Sequence, residues 1–348
     1  MKLKKQLSLL LCGAMMVSAL AGCGNGGSSS SASGSQSSSS VGDTSQSDAY
    51  TLPNIMVLSG PTGVGAAKLM ADNEAAEFYD KVAASATVEA DNQAVSSALI
   101  NGDADIAAVA TNVAATLVNK NPESIQVLAV NTLGVLYILE KGDTVTSMAD
   151  LAGKTVYATG EGANPEYVLN YLLTENGVDP ADVDIQWMTA QEVTAQMASS
   201  DSAICMLPVP AATALMMKDE GVRQALSLSD EWDKLGQGSL AMGCVVGRTQ
   251  FIEEHPETVD AFLDLYGDSI TFMSDEHGVA GAAALVGELG ITANEQIAAK
   301  ALPQCNIVCI TGDEMKTMTQ GFLEILMNAD PTSVGGALPG DDFYYLES

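Results

Sequence analysis

The chain is 348 residues long, with 44 acidic residues against 14 basic ones and a formal net charge of −30 at pH 7. So acidic a surface repels the phosphates of nucleic acid and the anionic face of a membrane, which argues against both as partners. Only two arginines are present, Arg223 and Arg248, too few for a pocket that clamps a phosphate or dicarboxylate between several guanidinium groups.

In chain order, Lys2, Lys4 and Lys5 open a positive stretch, and an apolar, small-residue-rich run follows from Leu7 to Ala21. This reads as a signal peptide over residues 1–22, too short and too rich in small residues to be a good membrane-spanning helix. It ends in Leu20-Ala21-Gly22-Cys23, which resembles the lipobox of bacterial lipoproteins; that resemblance implies cleavage before Cys23 and acylation of its sulfur. The expected location is therefore extracytoplasmic, with the chain held at the bacterial cell membrane by lipid. Residues 23–49 are mostly Ser, Gly and other small polar types, and are expected to be a flexible tether.

The globular part runs from Tyr50, and about 300 residues are enough for two lobes or one large domain. Short apolar runs alternate with longer amphipathic ones, which predicts an α/β architecture. Strands are expected at Asn54–Leu58, Ile106–Val109, Ile125–Val130, Leu133–Leu139, Thr155–Ala158, Asp184–Met188, Ala203–Leu207, Leu240–Val246 and Asn306–Ile310. Asn164-Pro165-Glu166 carries the marks of a helix start, with Asn164 as its cap. Thr189 with Glu192, and Thr311 with Glu314, have the spacing of capping boxes. Pro256 starts a further helix that reaches about Met273. Cys205, Cys244, Cys305 and Cys309 all fall in apolar runs and are expected to be buried thiols. On one extended strand Cys305 and Cys309 would lie about 13 Å apart, too far for a direct bridge.

The body contains an internal echo. Val57-Leu58-Ser59-Gly60 leads from a strand through a glycine-rich turn to a helix, and Val156-Tyr157-Ala158-Thr159-Gly160 does the same. Further on, Ala98–Leu117 aligns without gaps on Gln196–Leu215, matching Asp103, Ile106, Ala114 and Leu117 to Asp201, Ile204, Ala212 and Leu215. Two similar α/β lobes are the expected outcome.

Three segments carry a family resemblance. Leu99-Ile100-Asn101-Gly102-Asp103-Ala104-Asp105-Ile106-Ala107, Asp150-Leu151-Ala152-Gly153-Lys154-Thr155-Val156 and Glu254-His255-Pro256-Glu257 resemble motifs of the nitrate/sulfonate/taurine and thiamine-precursor group of ABC-transporter substrate-binding proteins. The resemblance implies a two-lobed periplasmic-binding-protein fold of type II, each lobe a mixed sheet flanked by helices, with the ligand between them. It implies a first lobe near residues 50–132 plus 241–348 and a second near 133–240. Its implied partners are a small-molecule ligand and ABC permease subunits, and a monomer is expected. Ser200-Asp201-Ser202-Ala203 departs from the family's Gly-x-x-Asp-Ala, so no relative's ligand can be copied over.

Enzyme signatures are missing. In Gly60-Pro61-Thr62-Gly63-Val64-Gly65-Ala66-Ala67-Lys68 the lysine stands two places too late for a phosphate loop, and no third glycine completes a dinucleotide fingerprint. There is no Gly-x-Ser-x-Gly, no Cys-x-x-Cys and no His-Glu-x-x-His, and His255 and His277 are the only histidines. No catalytic residue, metal or cofactor is expected.

Ligand contacts are expected instead from loops at the carboxyl ends of strands, where open α/β sheets bind. Ser59, Gly60, Thr62 and Gly63 would form one rim, and Thr159, Gly160, Gly162, Ala163 and Asn164 the other, with backbone N–H groups turned to the ligand. Thr111, Asn112, Pro208 and Val209 follow the two echoed strands, and Thr132 lies at the crossing between lobes. Asn112 either meets ligand or caps its helix, and Tyr167 either faces the cleft or packs on the sheet. Two other functions stay open: an enzyme on the same scaffold, like the menaquinone-pathway enzymes or pyrimidine synthases, and a sensory lipoprotein without transport.

Overall fold

A computed structural model describes residues 51–77 and 81–346. The signal segment, Cys23 and the Ser/Gly tether lie outside the described residues. The strands are β1 (Asn54–Leu58), β2 (Ser85–Glu89), β3 (Ile106–Ala110), β4 (Ile125–Thr132), β5 (Leu136–Lys141), β6 (Thr155–Ala158), β7 (Asp184–Trp187), β8 (Ala203–Pro208), β9 (Val222–Ser227), β10 (Gly243–Arg248) and β11 (Ile307–Ile310). The helices are α1 (Pro61–Val64), α2 (Ala67–Ala75), α3 (Asn92–Asn101), α4 (Thr111–Lys120), α5 (Asn164–Glu175), α6 (Ala190–Ser199), α7 (Ala211–Lys218), α8 (Leu228–Asp233), α9 (Thr249–Glu254), α10 (Pro256–Ser274), α11 (Val279–Glu288), α12 (Glu295–Ala301) and α13 (Gly312–Ala329).

Two mixed sheets organise these elements. The first has the order β11-β4-β10-β3-β1-β2 and the second β7-β6-β8-β5-β9. In each, three parallel strands stand at one side: β2-β1-β3 and β7-β6-β8. Each trio is joined by a strand running the other way, β10 against β3 and β5 against β8. The sequence echo is therefore a structural repeat. In its register α3 falls on α6, β3 on β8 and α4 on α7. The chain passes from the first sheet to the second between Thr132 and Leu136, and returns between Ser227 and Gly243.

Most expected strands form, and their differences have simple causes. β5 starts at Leu136 rather than Leu133 because the crossing occupies the residues between: the Leu133 N–H bonds to the Asn306 carbonyl. β10 starts at Gly243 rather than Leu240 for the same reason at the return crossing. Two strands, β2 (SATVE) and β9 (VRQALS), were not expected from the sequence. Each is a sheet edge with a single neighbour, so it needs no continuous apolar run. The Thr189–Glu192 capping box forms. At Thr311 no side-chain cap forms, and α13 is entered through the Thr311 carbonyl.

The cores are continuous and apolar. Ile106, Leu128, Val246, Phe322 and Phe343 are sealed in the first lobe, and Ile138, Leu139, Met206 and Trp232 in the second. The family motifs prove to be structural joints. Asp105 accepts from the Asn54 backbone N–H at 2.9 Å and from Arg248 Nη2 at 2.7 Å, tying β1 and β10 to the start of β3. Asp150 Oδ2 accepts from Thr146 and Ser147 backbone and hydroxyl groups at 2.8–3.1 Å, closing the turn before β6. These bonds hold its pKa down at about 2. All four described cysteines are free thiols. Burial pushes Cys205, Cys244 and Cys305 up to about 12, and a thiol that rarely ionises is inert.

Candidate functional site: a cleft between the lobes

The carboxyl ends of β1, β3, β6 and β8 open onto a cleft of about 1020 Å³. The first lobe contributes Ser59, Pro61 and Thr62 after β1, and Asn92, Gln93, Ser96 and Ser97 on α3. The second contributes Thr159 to Pro165 after β6, Met188 and Thr189 after β7, and Pro208 at the end of β8. Thr132, Val135, Leu136 and Met242, all buried, line it from the crossings.

Local sequence explains the rims. Gly160 has φ +96°, and a Cβ there would meet the Pro165 ring at 2.5 Å, so only glycine turns the chain into α5 at this point. The expected cap does not hold: Ala163 is the N-cap of α5 and Asn164 is its first helical residue. That frees the Asn164 amide, which reaches across to the first lobe. Its Nδ2 donates to the Met242 carbonyl at 2.5 Å, and its Oδ1 accepts from the Asn112 backbone N–H at 3.3 Å.

Of the residues expected from sequence, Ser59, Thr62, Thr132, Thr159, Gly160, Gly162, Ala163, Asn164 and Pro208 line the cleft. Gly60, Gly63, Thr111, Asn112, Tyr167 and Val209 are not among the lining residues. Gly60 turns the chain, its carbonyl accepting from Gly63 and Val64. Gly63 lies beneath the Leu58 carbonyl without room for a side chain. Thr111 and Val209 are fully buried. Asn112 is also buried, its Nδ2 donating to the Ser333 carbonyl at 3.1 Å and the Gly162 carbonyl at 3.4 Å. Tyr167 lines a separate groove of about 650 Å³ with Tyr171 and Asp330. Burial pushes its hydroxyl pKa up, aided by Glu166 and Asp330 and partly offset by a bond from Thr332.

Sequence reading missed the polar face of α3. Its signal was present: Asp91 caps the helix by accepting from the Ala94 N–H at 2.9 Å, and Asn92, Gln93, Ser96 and Ser97 recur at helical spacing. Without β2 in view, nothing placed that face at the carboxyl end of a strand.

The electrostatics are mild. Lys120, Asp91 and Glu161, all exposed, are the charged residues of the lining. Both arginines are engaged elsewhere, Arg223 with Glu140 and Arg248 with Asp105. Among the described residues, no lining residue is aromatic. Helices α3 and α6 are capped by their own side chains, whereas α1, α4 and α5 begin without one. The uncapped starts of α1 and α5, on opposite lobes, place Pro61, Thr62, Asn164 and Pro165 in the lining and bring partial positive charge to the cleft. Among the described residues no group of three His, Cys, Asp or Glu side chains could hold a metal ion.

A family model described as NMT1/THI5 like matches residues 87–277, more than half of the chain. The chain belongs to that family. No curated protein sequence matches it. Among solved structures, an ABC transporter protein of Parabacteroides distasonis is 23% identical at a TM-score of 0.71, covering 86% of this chain and 100% of that one. The periplasmic aliphatic sulphonate binding protein of Escherichia coli is 14% identical at 0.67, over 85% and 92%. The periplasmic nitrate-binding protein of Synechocystis PCC 6803 is 12% identical at 0.58, over 82% and 85%. These similarities establish the fold as the two-lobed periplasmic-binding-protein fold of type II.

Proposed function

We propose that this family member is the solute-binding component of an ABC importer, catching a small organic molecule between its lobes and passing it to membrane permease subunits. The observation that carries this reading is the shared cleft, to which loops of both lobes contribute at the carboxyl ends of their parallel strands. Binding there rewards closure by the ligand's differential affinity for the closed arrangement. The transport-protein descriptions of the structural neighbours support the same reading. The lobes are residues 50–132 plus 241–348 and residues 133–240, and the Leu20–Cys23 motif supports lipid anchoring outside the cytoplasm through Cys23. The chemistry of the lining supports a binding role over an enzymatic one, since it offers hydroxyls, amides and backbone N–H groups with no nucleophile beside a base.

The same lining narrows the solute. With no aromatic face for stacking and no guanidinium among its described residues, it suits an aliphatic molecule with a neutral or singly anionic oxygen-bearing head. The test is a thermal-shift screen of metabolites against the protein. A ligand at a hundred times its dissociation constant adds about 2.7 kcal/mol of stability. A screen in which no small solute stabilises the protein counts against the proposal, as does an uptake measurement in which deletion of the gene changes nothing.

A further inference from the structure

Two amides from opposite lobes meet at the base of the cleft. Asn112 stands in the first turn of α4 of the first lobe, Asn164 opens α5 of the second, and they are 1% and 0% exposed. Asn164 makes both of its bonds across the gap: Nδ2 to the Met242 carbonyl at 2.5 Å and Oδ1 from the Asn112 N–H at 3.3 Å. Met242 is tied to the first lobe: its N–H bonds to the Thr132 carbonyl at the end of β4, and its carbonyl also accepts from the Thr111 N–H at the start of α4. One side chain therefore joins α5 to two elements of the other lobe. The Asn112 side chain adds a third bridge, donating to the Gly162 carbonyl at 3.4 Å while held by the Ser333 carbonyl of its own lobe.

We propose that Asn164 is the latch of the closed arrangement, a residue that sets the open–closed balance by bonding lobe to lobe. Parting the lobes breaks these bonds and lets water reach the Asn112 N–H. Replacing Asn164 with an apolar residue leaves that N–H unpaired only while the lobes are together, so the replacement favours the open form. Two bonds of ordinary net strength correspond to a shift of about ten- to thirtyfold in the open-to-closed ratio. The latch rests on the cleft being the binding site, and it extends that reading by making affinity depend on a bond between lobes as well as on ligand contacts.

The experiment is pulsed electron resonance on the whole protein without ligand. Spin labels are placed at Asn101→Cys and Ser199→Cys, exposed ends of α3 and α6 on opposite lobes, in a chain whose half-buried Cys309 is replaced by serine. The expected result is that Asn164→Ala moves the label separation toward the open population by at least tenfold relative to the unaltered chain, with the urea midpoint of the second lobe unchanged. Ligands found by thermal shift then lose affinity by one common factor, and their ranking is kept. An unchanged separation overturns the latch, and so does a loss of affinity that reorders the ligands, which marks Asn164 as a contact only. If Asn164→Ala does not fold, Asn164→Ser takes its place, with the same two outcomes. Because the label measurement needs no solute, the latch can fail while the binding role stands. Equally, a protein that binds nothing can still show the latch.

Discussion

Arg223→Met tests the best-defined buried charge in the second lobe. Glu140 on β5 faces Arg223 on β9 in direct register, and its side chain is 1% exposed against 39% for Arg223. Its carboxylate accepts from the Thr144 N–H at 2.8 Å, the Thr144 hydroxyl at 2.7 Å, the Val145 N–H at 3.1 Å and Arg223 Nη2 at 2.5 Å. Burial pushes the Glu140 pKa up, but the bonds from Thr144, Val145 and Arg223 outweigh it and the net shift is downward. Removing one partner of a buried pair typically costs about 3–5 kcal/mol. Here three bonds to the carboxylate survive and the lost guanidinium was part-exposed, so about 3 kcal/mol is expected. With a urea dependence of about 2 kcal/mol per molar, the midpoint falls by roughly 1.5 M. Both tryptophans lie in the second lobe; Trp187 on edge strand β7 reports on that unit, whereas Trp232 also packs against Phe322 of the first lobe, 5.9 Å between ring centroids.

The pH dependence supplies the refutation. In the unaltered chain Glu140 has a lowered folded pKa, so its contribution is present above the unfolded value and is lost as pH falls through the folded one. In Arg223→Met the carboxylate is buried without its counter-charge and its folded pKa rises. The variant's penalty is then full at pH 7 and shrinks at acid pH, as Glu140 protonates. A difference below about 1 kcal/mol at pH 7, or one equal at both pH values, would refute the account of a paired buried charge.

Asp105→Ala removes the acceptor of Asn54 and Arg248 together, and should destabilise the first lobe by about 3 kcal/mol in urea followed by circular dichroism. A loss within about 0.5 kcal/mol would make the joint ornamental. Native protein treated with iodoacetamide at pH 8 should leave Cys205, Cys244 and Cys305 unmodified, with half-buried Cys309 reacting first, and urea should expose all four; equal labelling of the native thiols by mass spectrometry contradicts their burial. Asp150 should titrate near pH 2 by carboxyl NMR, its stabilising effect present above the unfolded value of about 3.9 and lost as pH falls through about 2. A midpoint near 3.9 shows the turn to be unformed in solution.

Much of this architecture was legible in the chain because its central strands are nearly pure apolar runs. Ile106–Ala110 and Ala203–Leu207 are buried along their length, and hydrophobicity alone marks them. Two of the four edge strands escape that signal, since β2 and β9 alternate in exposure and carry Ser, Glu, Arg and Gln. The glycine turns after β1 and β6 were readable because Gly60 and Gly160 break helical and extended patterns alike. The polar face of α3 was not, because its meaning depends on which strand end precedes it.

From the sequence alone came the α/β class, the two-fold echo and the two loops that border the cleft, since periodicity, turn chemistry and helix starts are properties of neighbouring residues. Only the tertiary structure decided which candidates reach the solute space. Asn112 and Asn164 both stand at helix starts with the same amide and both are buried, yet only Asn164 borders the cleft. Asn164 is turned from a cap into a bridge by Met242, 78 residues away in the chain. A side chain's surroundings are set by packing between distant segments, and no local pattern encodes them.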